Sequence, residues 1–358
     1  MNSDQSNSKG LQLGKEYPQP GEEKVAADIV ELLKDEMHRF YPPEKGVQQL
    51  RQIHPKMNGC VKAEFIIEPN LPADLKVGLF KEAKTYPTWI RLSNGNTKPL
   101  PDYKPDFRGF AIKLMNVPGK KLDDIHPDIT NQDFVLMNTK NFLSGDVKKF
   151  GDVLYVTTKP WNLSTIPKKL GIIVHNLPIL AKAKKAKVKI NHPCEIPYFS
   201  TVPFRFGDES RAVKYAVFPT NPEQFITPDT SSKDLLRINL AETLKKQSIS
   251  FDFKIQFQEN PVTMPIEDPE VIWTSEFIKL ATINIPIQDC DTPERRKVGE
   301  DMAFNNWHCL PEHRPLGSFN RARKIIYEEM YASRHEQNKI MIHEAFAGPD
   351  FFSDTKLK

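Results

Sequence analysis

Near the C-terminal end of the chain, Arg323 stands four residues before Tyr327 in the run Arg-Lys-Ile-Ile-Tyr. The surrounding apolar residues recur at helical spacing, so the guanidinium and the phenol share one face about one turn apart. A permanent cation beside a phenol favours the phenolate. A phenolate is an anionic oxygen ligand suited to ferric iron. The same spacing is common on surface helices, so it gains meaning only beside a second group. His54, in Arg51-Gln-Ile-His54, is one. Its unperturbed pKa lies near neutrality, which suits a general acid/base. Two strand-like segments follow, Trp89-Ile-Arg91-Leu-Ser93-Asn94 and Asp106-Phe-Arg108-Gly109-Phe-Ala-Ile-Lys113. An arginine facing inward from such strands needs a carboxylate or a phosphate. Gly109 inside a strand predicts a bulge or a close backbone approach.

These residues need a scaffold. Residues 1–20 read as a flexible tail. Val25, Ile29, Leu32, Leu33, Met37 and Phe40 then recur at helical spacing, and Pro42-Pro43 stops that helix. From about residue 60 the period changes to strands: Val61 to Glu68, Thr88 to Leu92 and Phe107 to Met115. The clearest strand runs from Ile249 to Gln258, with Ile249, Phe251, Phe253, Ile255 and Phe257 on one face and polar residues on the other. Ala281, Ile283, Ile285 and Ile287 alternate likewise. Many strands without a βαβ rhythm predict an antiparallel sheet or a closed barrel. Past Asp291 the chain turns helical, first at Pro293-Glu-Arg-Arg-Lys and then along Phe319, Ala322, Ile325, Ile326 and Met330. The reading is α+β: one domain over 21–345, its barrel about 55–290 and its helical part about 291–345, with 346–358 as a tail.

Composition removes several function classes. Fifty Lys and Arg against 46 Asp and Glu give a net charge of +4, which is no electrostatic footprint for nucleic acid. The four cysteines are scattered without a C-x-x-C, so they read as free thiols in a reducing compartment. The polar N-terminus has no apolar signal core, and the longest apolar stretch, Leu170 to Ala181, is too short to span a bilayer. A soluble, cytoplasmic protein is expected. One segment stands apart: Pro167 to Lys189 carries seven lysines around an apolar stretch. It reads as a solvated excursion from the barrel, with an anionic membrane surface or an acidic partner as the alternative.

Taken in order, these motifs resemble the haem catalases and their shorter relatives, over about residues 45 to 335. Arg51-x-x-His54 is similar to the segment bearing the distal histidine. Trp-Ile-Arg91-Leu-Ser93 resembles the strand with a propionate-binding arginine and a serine that bonds the histidine ring. Asp106 to Lys113 is close to the Arg-Gly-Phe-Ala signature. Gln132 to Asp146 resembles the strand of the distal asparagine, here Asn138, and Phe150 falls where a phenylalanine stacks on the porphyrin. Pro197 to Gly207 matches a family loop, and Arg323-x-x-x-Tyr327 with Arg334 fits the proximal helix.

The resemblance implies haem b as cofactor, with Tyr327 as the iron ligand, in keeping with the tyrosine ligand of catalases. It implies that Arg323 keeps Tyr327 ionised and that Arg51, Arg91 and Arg334 pair with the propionates. His54, oriented by Ser93, would cleave the peroxide heterolytically to a ferryl species, with Asn138 orienting the substrate. The implied activity is a catalase or peroxidase on hydrogen peroxide or small organic hydroperoxides, with an organic reductant as a possible second substrate. Two alternatives stay open: an allene oxide synthase-like dehydratase or isomerase of fatty-acid hydroperoxides, and a haem-binding barrel without turnover. Ile53 stands where the allene oxide synthases carry a threonine that suppresses catalase action, which favours peroxide decomposition. Met137 stands where large catalases carry the first of two asparagines. The short tail points to a monomer or a homodimer.

Overall fold

A computed structural model describes residues 10–123, 125, 126, 128–340 and 345–356. Helix α1 (Glu22–Phe40) buries Ala26, Ile29, Val30, Leu33 and Met37 along one stripe, and the chain turns at Pro43. The strands β1 (Lys56–Ile67), β2 (Thr85–Asn94), β3 (Arg108–Leu114) and β4 (Gln132–Met137) then form an antiparallel meander. Three helices follow: α2 (Val147–Thr158), α3 (Ile166–His175) and α4 (Leu177–Ala186). Next come β5 (Tyr198–Phe199), β6 (Phe204–Phe206) and β7 (Asp208–Pro219), α5 (Leu235–Leu244), then β8 (Ile249–Phe257) and β9 (Phe277–Ile285). The end comprises β10 (Ile287–Gln288), α6 (Pro293–Asp301), α7 (Ser318–Asn338) and β11 (Thr355–Lys356), which pairs with β10.

The large sheet runs β5-β4-β3-β2-β1-β9-β8-β7, and β5 also pairs with β7, so eight antiparallel strands close a barrel. β6 hangs on β7 as an added strand. The closing strand is only two residues long: Met137 pairs with Phe199, and Phe199 with Ala216. The barrel interior is filled. Phe65 and Phe253 meet edge to face at 5.0 Å, and Phe134 sits 5.0 Å from Phe253 and 4.9 Å from Tyr215. These aromatics and the inward aliphatics, among them Ile90, Leu92, Ile112 and Leu136, form one continuous core. Among the described residues, packed side chains fill the barrel interior. Strand alternation then decides which residues face outward. In β2, β3 and β4 the odd-numbered residues do: Arg91, Ser93, Gly109, Lys113 and Asp133.

The helical ends lie together. α1 packs against α7 and α2, and α6 packs against β1. The expected tail over 1–20 is anchored from Gly14 onward. Gly14 N donates to Gln258 Oε1 at 2.8 Å, Tyr17 N to Glu267 Oε1 at 2.8 Å, and Glu16 pairs with Arg321 at 2.5 Å. At the other end the expected tail over 346–358 includes β11, and Phe351 packs edge to face on Trp89 at 5.2 Å. Both corrections have one cause: short polar stretches carry no periodicity, yet single side chains can pin them. The four cysteines are free and buried. Among the described residues no helix is long and apolar enough to cross a membrane.

Candidate active site on the outer barrel wall

His54 ends the turn that feeds β1. Its backbone is left-handed, with φ at +63°. A histidine in that region costs on the order of 1–2 kcal/mol, and surrounding contacts must hold it there. They do so at two points: Arg91 Nη2 donates to the His54 carbonyl at 3.0 Å, and the His54 ring meets Ser93 Oγ through Nδ1 at 3.0 Å. The turn folds the imidazole back onto the outer faces of β2 and β3. Ser93 pairs with Gly109 across the sheet, and Gly109 with Met137. A Cβ on Gly109 would lie 2.5 Å from His54 Nδ1 and 2.7 Å from Ser93 Oγ. Only glycine leaves room for the ring to rest on the strand.

The imidazole retains some open surface but is enclosed by protein on most sides. Burial, then the charges of Arg91, Arg51 and Arg323, push its pKa from 6.5 down to about 3. It is a neutral base near pH 7. With the Nδ1 proton directed to Ser93, the lone pair sits on Nε2, which has no hydrogen-bond partner among the described residues.

Beside His54, three guanidiniums converge on one residue, two of them on its carboxylate. Glu300, at the end of α6, accepts from Arg51 at 3.1 Å and from Arg91 at 3.2 Å. Arg334, on α7, donates to the Glu300 carbonyl, and Arg51 to that of Met302. Burial raises the Glu300 carboxyl, but Arg91, Arg51 and Arg334 together hold it below its ordinary value. Burial and repulsion from Arg91 and Arg334 push the Arg51 pKa well down. Three cations face Glu300 and, at Arg334, Asp301, so the cluster is short of negative charge. Glu300 was not singled out in the sequence; the signal for it was the three arginines assigned to one anion site.

Arg323 and Tyr327 lie one turn apart on α7, both half-buried. The guanidinium reaches Asn320 Oδ1 at 3.4 Å, lies 5.8 Å from the Phe142 ring centroid, and acts electrostatically on His54. The Tyr327 phenol makes no hydrogen bond among the described residues. Phe150, on α2, joins Phe142 and Phe319 in an aromatic group at 5.3 and 5.8 Å.

The structure thus groups His54, Ser93, Arg51, Arg91 and Arg334, places Arg323 within electrostatic reach of His54, and carries Tyr327 on α7 and Phe150 on α2. Asn138 stands differently. Its Oδ1 accepts from Arg108 N at 2.8 Å and its Nδ2 donates to Ala186 O at 3.0 Å, so both ends of the amide are spent on backbone. The residue that shares the Gly109 face, beside His54, is Met137. Asn138 joins β3 to the end of α4.

Two other features could hold small groups. A cavity of about 520 Å³ borders Glu300, Pro55, Lys56, Met57 and Arg296, but neither His54 nor Tyr327 lines it. Asp123, His126 and His308 place donor atoms within 4.8 Å of one another. That cluster is already engaged internally: Asp123 Oδ2 lies 3.1 Å from His126 Nδ1 and 3.0 Å from His308 Nε2, and His308 Nδ1 lies 3.2 Å from Asp133.

Against solved structures, the chain is similar to a bacterial catalase (TM-score 0.61, 17% identity, covering 88% of this chain and 64% of that one). It is also similar to a fungal catalase (0.60, 15%, covering 90% and 64%) and to catalase A from Saccharomyces cerevisiae (0.59, 15%, covering 90% and 65%). No family model and no curated protein matches the chain. The chain has the catalase fold. It spans about two-thirds or less of the length of these catalases, 64–65%.

Proposed function

We propose that the chain is a haem-dependent peroxide-decomposing enzyme, acting on hydrogen peroxide or small organic hydroperoxides. The observation that carries this reading is His54 held 3.0 Å from Ser93 Oγ through Nδ1, with no hydrogen-bond partner for Nε2 among the described residues, beside Arg51 and Arg91 paired to one carboxylate. The residues fit haem b: Arg51, Arg91 and Arg334 would hold its propionates, Tyr327 would ligate its iron with Arg323 one turn away, and Phe150 would offer it an apolar contact. When bound, haem would supply the iron at which a peroxide O–O bond is broken.

The chain's own residues supply the proton handling. With bound haem supplying the two electrons that O–O cleavage needs, His54 Nε2 would take the proton from the inner peroxide oxygen and return it to the outer one, which would leave as water or an alcohol. Ser93 keeps the ring in register, and the Gly109 backbone lets it lie close to the strand. Ile53 offers no hydrogen bond to the ring, which leaves the base unperturbed from that side. A second reading, a fatty-acid hydroperoxide dehydratase or isomerase, is favoured by one feature: the exposed apolar residues of α3 and α4, which lead to Ala186, where the carbonyl accepts from Asn138. The test compares oxygen release from hydrogen peroxide with product formation from a fatty-acid hydroperoxide on haem-loaded protein. Oxygen release or donor oxidation that His54→Ala abolishes supports the first reading. An epoxide-derived product with no oxygen release favours the second. Failure to bind added haemin overturns both.

A further inference from the structure

The segment from Trp161 to Lys189 contains seven lysines and no acidic residue. Seven charges against a net of +4 for the whole chain leave the rest of the molecule at −3. The positive charge is therefore concentrated on α3, α4 and their flanks. The same segment exposes large apolar groups: Leu163 is 93% exposed, Val174 66% and Trp161 57%, with Leu170 and Leu177 also open. On α3, Pro167, Leu170, Gly171 and Val174 fall on one face, and Leu177 continues the patch onto α4. Lys184, Lys185 and Lys189 are exposed and without ion-pair partners among the described residues, while Lys182 pairs with Glu270.

We infer that the α3–α4 segment docks on the surface of an anionic lipid bilayer, its apolar face entering the headgroup region and its exposed lysines meeting lipid phosphates. Neither helix could span a bilayer at ten residues. An apolar patch rimmed by lysines, in a segment with no acid of its own, has the composition of an interfacial element. Nucleic acid would match the charge but leave Leu163, Leu170 and Val174 in water. The segment is not remote from the proposed site. Ala186 O accepts from Asn138 Nδ2, and Val188 bridges to Asp106, three residues before Gly109. The inference does not depend on haem.

The molecule carries its own reporter. Of its four tryptophans, Trp89, Trp273 and Trp307 are buried, and only Trp161 is exposed, within the patch. The full chain is sedimented with vesicles of phosphatidylcholine alone and with vesicles containing phosphatidylglycerol, at low and high salt. The expected result is binding to the anionic vesicles only, weakened by salt, with a blue shift of tryptophan emission that Trp161→Phe abolishes. Lys184→Glu with Lys185→Glu should weaken binding by about 30-fold or more, on the basis of a roughly fivefold effect for each lysine near such a surface. Leu170→Asp with Val174→Asp should remove the blue shift, and circular dichroism with an unchanged melting curve would show both double variants folded. No binding to anionic vesicles overturns the inference. So does binding that the folded variants retain, a dimer that covers Trp161 in place of lipid, or selective binding of an oligonucleotide.

Discussion

The α-carbon of Gly109 and the imidazole of His54 are so close that a single added methyl carbon would sit 2.5 Å from Nδ1. Gly109→Ala must therefore displace the ring or the strand. Because Ser93 Oγ is crowded by the same carbon, the ring loses its clamp as well. The expected outcome is a folded protein that still binds haem but has lost at least about 10²-fold in peroxide turnover, the size usual for general acid–base groups. Stopped-flow mixing with peroxide, alongside the haem absorption spectrum, measures both. Wild-type turnover in Gly109→Ala would remove His54 from the mechanism.

Tyr327→Phe deletes the phenol oxygen one helical turn from Arg323 on α7. The prediction is loss of haem, or a sharp change in the ferric spectrum, with the fold unaltered in circular dichroism. An unchanged spectrum would show that iron is ligated elsewhere.

Glu300→Gln removes the one carboxylate shared by Arg51 and Arg91, beside Arg334. Leaving cations unpaired in a mostly buried cluster should destabilise the haem-free protein by about 3 kcal/mol. If haem propionates enter the same cluster, loading with haem should recover much of that loss. Urea unfolding of wild type and variant, with and without haem, gives the comparison; an equal deficit in both states would place the propionates away from these arginines.

His54 also predicts a pH dependence of stability. Its folded pKa of about 3 lies below the ordinary 6.5. Above pH 6.5 neither state holds the proton and the group contributes no slope. As pH falls from 6.5 toward 3, the unfolded chain takes up a proton that the folded one refuses, and stability drops. Urea midpoints between about pH 7 and pH 4 should fall less steeply in His54→Gln than in wild type. For the same reason turnover should show no acid limb near pH 6.5.

The parts of the fold that announce themselves in the sequence are those with a long period. β8 alternates strictly because one face meets the aromatic core, and α7 shows its stripe because it lies on the same core. β5 and β6 have two and three residues, too short to carry any period, although β5 closes the barrel. His54, Ser93 and the arginines could be read as candidates because their residue types are costly to bury without a purpose. Glu300 could not, because its role depends on α6 returning to β1 across the whole barrel. Asn138 lies one position beyond Met137, which pairs with Gly109, and its amide is engaged by Arg108 N and Ala186 O, a placement that no motif specifies.

The site lies outside a closed barrel, between a wall made from the first half of the chain and a helix made near its end. A ribosome that has reached Asp291 has produced every barrel strand, together with His54, Ser93 and Gly109, but no residue of α6 or α7. At that moment Arg51 and Arg91 have no Glu300, and His54 has no Arg323 near it. The two halves of the cluster are thus translated far apart in time, and a chain interrupted before residue 300 holds buried guanidiniums without their carboxylate.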